Sequence, residues 1–308
     1  MFISMNSLHE SDERRLGLRS STWQHLRFPF SIFLAPVFLF AASEARTLHL
    51  VPILAVFTLL HFGVYPASNG YNSFYDQDEG PIGGVAQPKK PQPELLWVSN
   101  FLDGISILGL TAVNRGAGII ALIYTLASRA YSHPRVRIKG RPILGLLWVS
   151  LFQGAGVYWI VWLGIGSSLS GLQFDAPPLA PLLVSSLLLM GSYPLTQIYQ
   201  HEEDARRGDL TFSRSLGVRG TFLFSSILSL IALSALSFHL FQTSLNPIGQ
   251  PLILLLCMSP SLVFFGSWVY RVETQPSPKA PTHSDTMRMN ILGSTGLSLF
   301  FLIRMFLL

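Results

Sequence analysis

The sequence predicts an all-α protein that crosses a membrane about nine times, with its N-terminus in the cytosol. Three observations predict it. The 308 residues are 49% hydrophobic and only 12% charged, against roughly a quarter charged in soluble domains, so the chain belongs in a bilayer. Apolar runs of about twenty residues, each long enough to span, follow one another along most of the chain. The basic residues fall in alternate connections between these runs, which is the positive-inside pattern of a membrane protein.

Taken in order, Met1 to about Gln24 is polar and holds Glu10, Asp12, Glu13, Arg14, Arg15 and Arg19. It lacks the short apolar stretch and small-residue cleavage site of a signal peptide, and reads as a cytosolic tail (1–24) ahead of one membrane domain (25–308). The apolar runs lie at roughly 27–45, 48–68, 95–113, 115–132, 142–166, 178–199, 217–241, 250–271 and 288–307. The first two are parted only by Ser43 to Arg46 around Glu44, and the ninth contains Arg304. The sole cysteine, Cys257, sits inside an apolar run, which excludes an intrachain disulfide and a thiolate metal cluster.

Charge orients the bundle. The tail carries Arg14, Arg15 and Arg19; the even-numbered connections carry Lys89 and Lys90, then Arg135, Arg137, Lys139 and Arg141, then Arg206, Arg207 and Arg214, then Arg271, Lys279 and Arg288. The opposite connections hold only Arg46 and Arg115. One face is therefore basic, and the positive-inside rule makes it cytosolic. The net charge of +5 is thus a matter of topology, and nucleic acid is not an expected partner.

Two acidic clusters open onto that face. Asn69 to Gly84 reads N-G-Y-N-S-F-Y-D-Q-D-E-G-P-I-G-G and closes the second run; Gln200-His201-Glu202-Glu203-Asp204 closes the sixth. On helices, Asn72 and Asp76 share a face, as do Gln200 and Asp204, because residues four apart are neighbours. Converging oxygen donors at a membrane edge suit Mg²⁺, which takes carboxylates together with a substrate's phosphate oxygens. The plainer reading is that each cluster is a solvated helix end. Between the clusters in sequence, Ala130 to Gly145 presents Arg135, Arg137, Lys139 and Arg141 at alternating positions. Alone, such cations report topology and anionic-lipid contact; beside two acidic clusters they read as clamps for phosphate oxygens.

At these residues the sequence resembles the UbiA superfamily of intramembrane prenyltransferases. That family's first motif is N-D-x-x-D-x-x-x-D at the end of helix 2, and its second is D-x-x-x-D-x-x-x-G-x-x-T before helix 7. Here Asn72 and Asp76 match the first, while Ser73 replaces its early Asp and Gly80 its last one, leaving Asp78 and Glu79 as the nearest substitutes. Asp204, Gly208 and Thr211 match the second, with Gln200 where its first Asp would be and Glu202 or Glu203 to supply the missing charge. Tyr131 to Lys139 resembles the family's Y-S-x-P-x-x-R-x-K loop, with Arg135 where some members place a phosphate-binding Lys.

The resemblance implies Mg²⁺-dependent transfer of a prenyl group from an allylic polyprenyl diphosphate to a lipophilic or aromatic acceptor, most simply a quinone precursor, within the membrane. In a bacterium this would be the inner membrane, with the active-site loops on the cytosolic face, in isoprenoid quinone or lipid biosynthesis. Asp76, Asp204 and Lys139 become the catalytic candidates. Asn72, Asp76, Gln200, Glu203 and Asp204 become the metal set, with Glu203 and Asp204 sharing the ion and Gln200 on its water. Arg135, Arg137 and Lys139 become the diphosphate clamp. The departures at Gly80 and Gln200 leave two rivals open: an intramembrane terpene cyclase of the same superfamily, and a non-catalytic lipid carrier or transporter.

Other ionisable residues carry weaker expectations. Asp103 lies inside the third run, where a carboxyl is expensive; it is a candidate acceptor contact or a structural carboxyl. His201 adjoins the second motif, but imidazole is an unusual partner for Mg²⁺, which favours a loop role. His61 and His239 read as packing residues, and Phe74, Tyr75 and Tyr193 as aromatic faces that pack or face an allyl cation. No P-loop, metalloprotease or zinc-finger pattern occurs.

Overall fold

A computed structural model of the chain describes residues 14–15, 17–45, 49–166, 176–274 and 281–307. The expected tail up to residue 13, Leu16, the connections at 46–48, 167–175 and 275–280 with Arg46 and Lys279, and Leu308 lie outside the described residues. After a two-residue hairpin pairing Arg14–Arg15 with Leu18–Arg19, the architecture is helical throughout. We label the helices α1 (Ser20–Ser43), α2 (Leu50–Asp76), α3 (Glu94–Val113), α4 (Arg115–Ser132), α5 (Pro142–Gly166), α6 (Leu179–Arg207), α7 (Phe212–Thr243), α8 (Gly249–Thr274) and α9 (His283–Phe306). All but α4 are long and apolar enough to cross a membrane. The eighteen residues of α4 include Arg115, Ser128, Arg129 and Ser132, so it occupies the expected fourth place as the most polar member.

Local chemistry explains where the helices bend and stop. Pro29 has no amide hydrogen to continue a ladder, and Arg27 ahead of it takes the left-handed conformation (φ 51°), which breaks α1 into two parts. The part before the break, Ser20–Leu26, extends the first helix into the segment read as tail, because Thr22 Oγ1 donates to Glu94 Oε1 at 2.6 Å and fixes it against α3. Pro66 similarly leaves a carbonyl free one turn earlier, and α2 widens into a π-bulge at Leu60–Val64. The carboxamide of Asn114 caps α4 by accepting from Ala117 N at 3.1 Å. Pro194 lies inside α6, whose last turn before the polar end tightens at Ile198–Gln200. Gly208 ends α6 at φ 77°, a left-handed cap that glycine takes without a Cβ penalty.

Consecutive helices pack side by side, and α9 packs back on α1, closing the bundle. Its core joins Phe38 and Phe40 of α1, Leu60 and Tyr65 of α2, Tyr158 and Val161 of α5, and Phe300 and Phe301 of α9. Large apolar side chains such as Trp97, Leu108, Leu230 and Val263 point outward and are exposed, as a lipid-facing surface requires and a water-facing one avoids. Arg304, the unexpected charge of the ninth run, is buried: it pairs with Glu44, donates to Ser43 Oγ at 2.9 Å and donates to Gln250 Oε1 at 3.1 Å. His239 Nε2 lies 3.2 Å from the same Glu44 carboxylate, and His61 stacks on Phe57 within the core.

Candidate active site

The two acidic helix ends meet. Asp76 is the last helical residue of α2, because Gln77 turns left-handed (φ 50°) and sends the chain across the mouth of the bundle. Asp204 comes to the same place from α6, where Thr211 Oγ1 donates to its Oδ2 at 3.1 Å. Both side chains line one cavity of about 260 Å³, together with Asn72, Asp78, Lys139 and Gln200 at the polar end. Away from them the wall joins Phe33, Leu34, Trp148, Val149, Phe152 and Leu189 to the uncharged polar groups of Ser68, Tyr124, Gln153 and Ser192. The cavity therefore has a charged end and an uncharged, largely aromatic and aliphatic remainder.

The basic loop supplies one cation to the cavity and uses another as its strut. Arg137 sits at φ 42° ahead of the short turn Ile138–Gly140, and this reversal aims Lys139 inward. Lys139 Nζ lies 2.7 Å from Asp76 Oδ2 and 3.7 Å from Asp209 Oδ2. Arg137 grips Asp209 in the two-pronged manner open only to guanidinium, Nε to Oδ1 at 2.7 Å and Nη2 to Oδ2 at 2.6 Å, and reaches Asp76 Oδ1 at 3.5 Å. Its hydrogen bonding to Asp209 holds the guanidinium above its already high ordinary range, so it stays charged. Arg137 does not line the cavity, and Arg135 is exposed to solvent, its amide bonded to His133 Nδ1 at 3.3 Å. Of the three cations assigned to diphosphate, only Lys139 faces the cavity, because the alternation expected of an extended segment is broken by the turn.

Glu203, expected among the metal ligands, lies outside the cavity and accepts from the Glu79 amide at 2.7 Å, the Gly80 amide at 3.2 Å and Arg207 Nη2 at 2.8 Å. The short turn at Ile198–Gln200 offsets the end of α6, so Gln200 and Asp204 face inward while Glu203 faces the connection after α2. Asp103 also stays away from the cavity. It pairs with Arg129, whose guanidinium lies 3.7 Å above the Tyr71 ring, a contact that ties α3 to α4 and α2. Phe74 and Tyr75 pack on each other outside the cavity, whereas Tyr193 lines it with its hydroxyl bonded to that of Tyr131. His201, which falls within α6 and not in a loop, bonds Ser213 Oγ of α7 at 2.7 Å.

Two residues at this mouth escaped the sequence reading. Asp209, which anchors Arg137 and approaches Lys139, sits among Arg206, Arg207 and Arg214 and looked like part of a solvated connection. Arg27 lines the cavity from the break in α1, donating to the Asn69 carbonyl at 3.2 Å; a lone Arg just ahead of a Phe-Pro step was its only signal.

The lining donors fit a hard cation. Asp76, Asp78 and Asp204 offer carboxylates, and Asn72 gives its amide hydrogens to Ser132 Oγ at 2.8 Å, leaving its carbonyl oxygen as an acceptor. All are oxygen, the donor type Mg²⁺ takes. Among the described residues no three carboxylates, imidazoles or thiolates are close enough to cage an ion alone, so a bound metal would share its coordination with the oxygens of a ligand.

Known proteins place this arrangement. The model of the UbiA prenyltransferase family matches residues 32–292. The lycopene elongase/hydratase of Corynebacterium glutamicum is 26% identical over 229 residues, covering 70% of this chain and 74% of that one. The 1,4-dihydroxy-2-naphthoate octaprenyltransferase of Haemophilus influenzae is 26% identical over 276 residues, covering 80% and 84%. Among solved structures, a UbiA homologue from Archaeoglobus fulgidus bound to DMAPP and Mg²⁺ superposes with a TM-score of 0.66 at 16% identity, covering 94% of this chain and all of that one. Among the described residues, nine helices in the expected order, eight of them long and apolar enough to span, and two acidic helix ends at one cavity agree with a family match over most of the chain: this protein belongs to the UbiA prenyltransferase family and is a multi-pass membrane prenyltransferase.

Proposed function

We propose that this prenyltransferase moves the prenyl group of an allylic polyprenyl diphosphate onto an aromatic or other lipophilic acceptor, with Mg²⁺, at the cytosolic face of its membrane. The observation that carries the reading is one cavity that joins carboxylates, carboxamides and Lys139 at its charged end to Trp148, Phe152, Phe33 and Leu189 beyond it. A diphosphate head and a prenyl tail need those two environments. The catalytic membrane domain would begin with α1 at Ser20 rather than at residue 25, behind a cytosolic tail, with the connections rich in Lys and Arg on the cytosolic side.

Each residue then has a task. Asn72, Asp76 and Asp204 would hold the metal, with Gln200 on the rim. Bound there with the diphosphate, the ion supplies Lewis-acid neutralisation of the charge that grows on the leaving group. Lys139 donates to the diphosphate oxygens, and because Asp76 and Asp209 already hold its ammonium in place, little reorganisation accompanies charge development. Arg137 keeps Asp209 and the loop in register. Trp148, Phe152 and the Tyr131–Tyr193 pair exclude water from the allyl cation, and ring faces stabilise it. The names of the two curated relatives, a lycopene elongase/hydratase and a dihydroxynaphthoate octaprenyltransferase, support an apolar or aromatic acceptor.

Incubating membranes containing the protein with allylic diphosphates of graded length and a panel of quinone precursors, phenols and polyene hydrocarbons tests the proposal, with products identified by mass. The expected result is diphosphate release together with an acceptor heavier by one prenyl group. A hydrocarbon or alcohol formed equally without acceptor would point to cyclase chemistry, and lipid flux without diphosphate release to a carrier; either would overturn the reading.

A further inference from the structure

The connection after α2 is fastened to α6 residue by residue. Asp78 pairs with Arg207. The Glu79 and Gly80 amides donate to the two oxygens of Glu203 at 2.7 and 3.2 Å. The Pro81 carbonyl accepts from Gln200 Nε2 at 3.4 Å. Arg207 also donates to Glu203 Oε1 at 2.8 Å, joining the side-chain and backbone anchors into one unit. Of the two carboxylates in this stretch, Asp78 lines the cavity and Glu79 is exposed.

We propose that Glu203 and Arg207 are positioning residues that clamp Asp78–Pro81 across the cavity mouth and so present Asp78, not Glu79, as a working carboxylate toward the bound diphosphate and its metal. The inference rests on the proposed reaction for the use made of Asp78, but the clamp itself does not.

Three points carry it. First, Glu203 is buried, and a buried carboxylate is costly unless its oxygens are bonded and its charge paired. Two amides and a guanidinium meet that need, so a ligand role for Glu203 would cost an anchor. Second, a Cβ built on Gly80 would lie 2.8 Å from Glu203 Oε2. A side chain at position 80 would therefore push the Glu203 carboxylate off the two amides it holds, and the nearest carboxylate that lines the cavity is Asp78, two residues earlier. Third, Gln200 donates to the Pro81 carbonyl. A carboxamide has amide hydrogens to give, whereas an ionised Asp has none. Two of the three places where this chain departs from the acidic pattern of its family, positions 80 and 200 but not Ser73, are thus places the clamp uses.

Hydrogen exchange followed by mass spectrometry on the detergent-purified protein without substrate tests the clamp independently of turnover. Glu203→Ala should speed exchange of the Glu79 and Gly80 amides at least tenfold, and Glu203→Gln, which keeps one acceptor oxygen, by less. Steady-state kinetics then test its purpose. Glu203→Ala should cost kcat/KM for the diphosphate about as much as Asp78→Ala, and the two together no more than Asp78→Ala alone. Gly80→Asp should be damaging by itself and recover in combination with Glu203→Ala. Should Glu203→Ala fail to fold, Gly80→Ala forces the same displacement and should give the same faster exchange. Unchanged exchange across residues 77–84 in both variants would overturn the clamp. Faster exchange with losses that multiply in the Asp78–Glu203 pair would overturn the role given to Asp78. Faster exchange in a protein whose parent form releases no diphosphate would keep the clamp and overturn the proposed reaction instead.

Discussion

Lys139 and Arg135 sit four residues apart in one basic loop and have opposite surroundings. Lys139 is buried between Asp76 and Asp209 at the cavity wall, while Arg135 is in solvent. Replacing Lys139 with Ala should lower kcat/KM for the diphosphate roughly 10- to 100-fold, since a hydrogen bond to a charged group is worth about 1.5–3 kcal/mol. Arg135→Ala should stay within about twofold, measured in detergent so that anionic lipid does not intervene. Gln200 gives a second test at this scale. Gln200→Asp removes the donor to the Pro81 carbonyl and sets a negative charge beside it, so the KM for diphosphate should rise with no fall in the Mg²⁺ concentration needed for half-maximal rate; a lowered Mg²⁺ requirement would mean position 200 serves the metal first. Sequence reasoning reached Asn72, Asp76, Lys139, Gln200 and Asp204, all of which line the cavity. Glu203 and the two arginines lie outside that lining: adjacent residues of a helix point roughly 100° apart, which separates Glu203 from Asp204, and the turn at Ile138–Gly140 interrupts the alternation of the basic loop.

At the scale of elements, the end of α6 does more than stop a helix. Gly208 at φ 77° turns the chain so that the Asp209 amide reaches back to the Asp204 carbonyl at 2.9 Å while its side chain meets Arg137. Gly208→Ala has open space around the new methyl but must hold a left-handed conformation, which costs about 1–2 kcal/mol. Thermal unfolding in detergent should report that loss, and activity should fall further than stability alone accounts for, because Asp209 sets Arg137. Apolar runs and their order were legible, since length and hydropathy are summed over twenty residues. Breaks were not: Arg27 and Gly217, where α1 and α7 kink at positive φ, stand at the first residues of their apolar runs, so each helix continues past its break into a polar segment that hydropathy assigns to a connection.

The whole molecule is tied together at the end away from the cavity. Arg304 of α9 is buried against Glu44 and Ser43 of the α1 end and Gln250 of α8, with His239 of α7 on the same carboxylate. Breaking a buried pair by removing one partner leaves an uncompensated charge, a loss of about 3–5 kcal/mol. Arg304→Ala should therefore lower the thermal midpoint markedly, and adding Glu44→Ala should restore part of it. The KM for diphosphate in the folded fraction should be unchanged. Glu44 and Arg304 stood out in the sequence only as interruptions, because partners 260 residues apart share no local pattern. The central claim is that Asp76 and Asp204, brought from two distant helix ends to one mouth, drive loss of diphosphate from a prenyl donor. Diphosphate release by purified protein supplied with donor and acceptor tests it most directly. The expected result is release that stops with EDTA and in Asp76→Ala and Asp204→Ala proteins that insert and unfold like the parent; near-parent release by either variant would contradict the account.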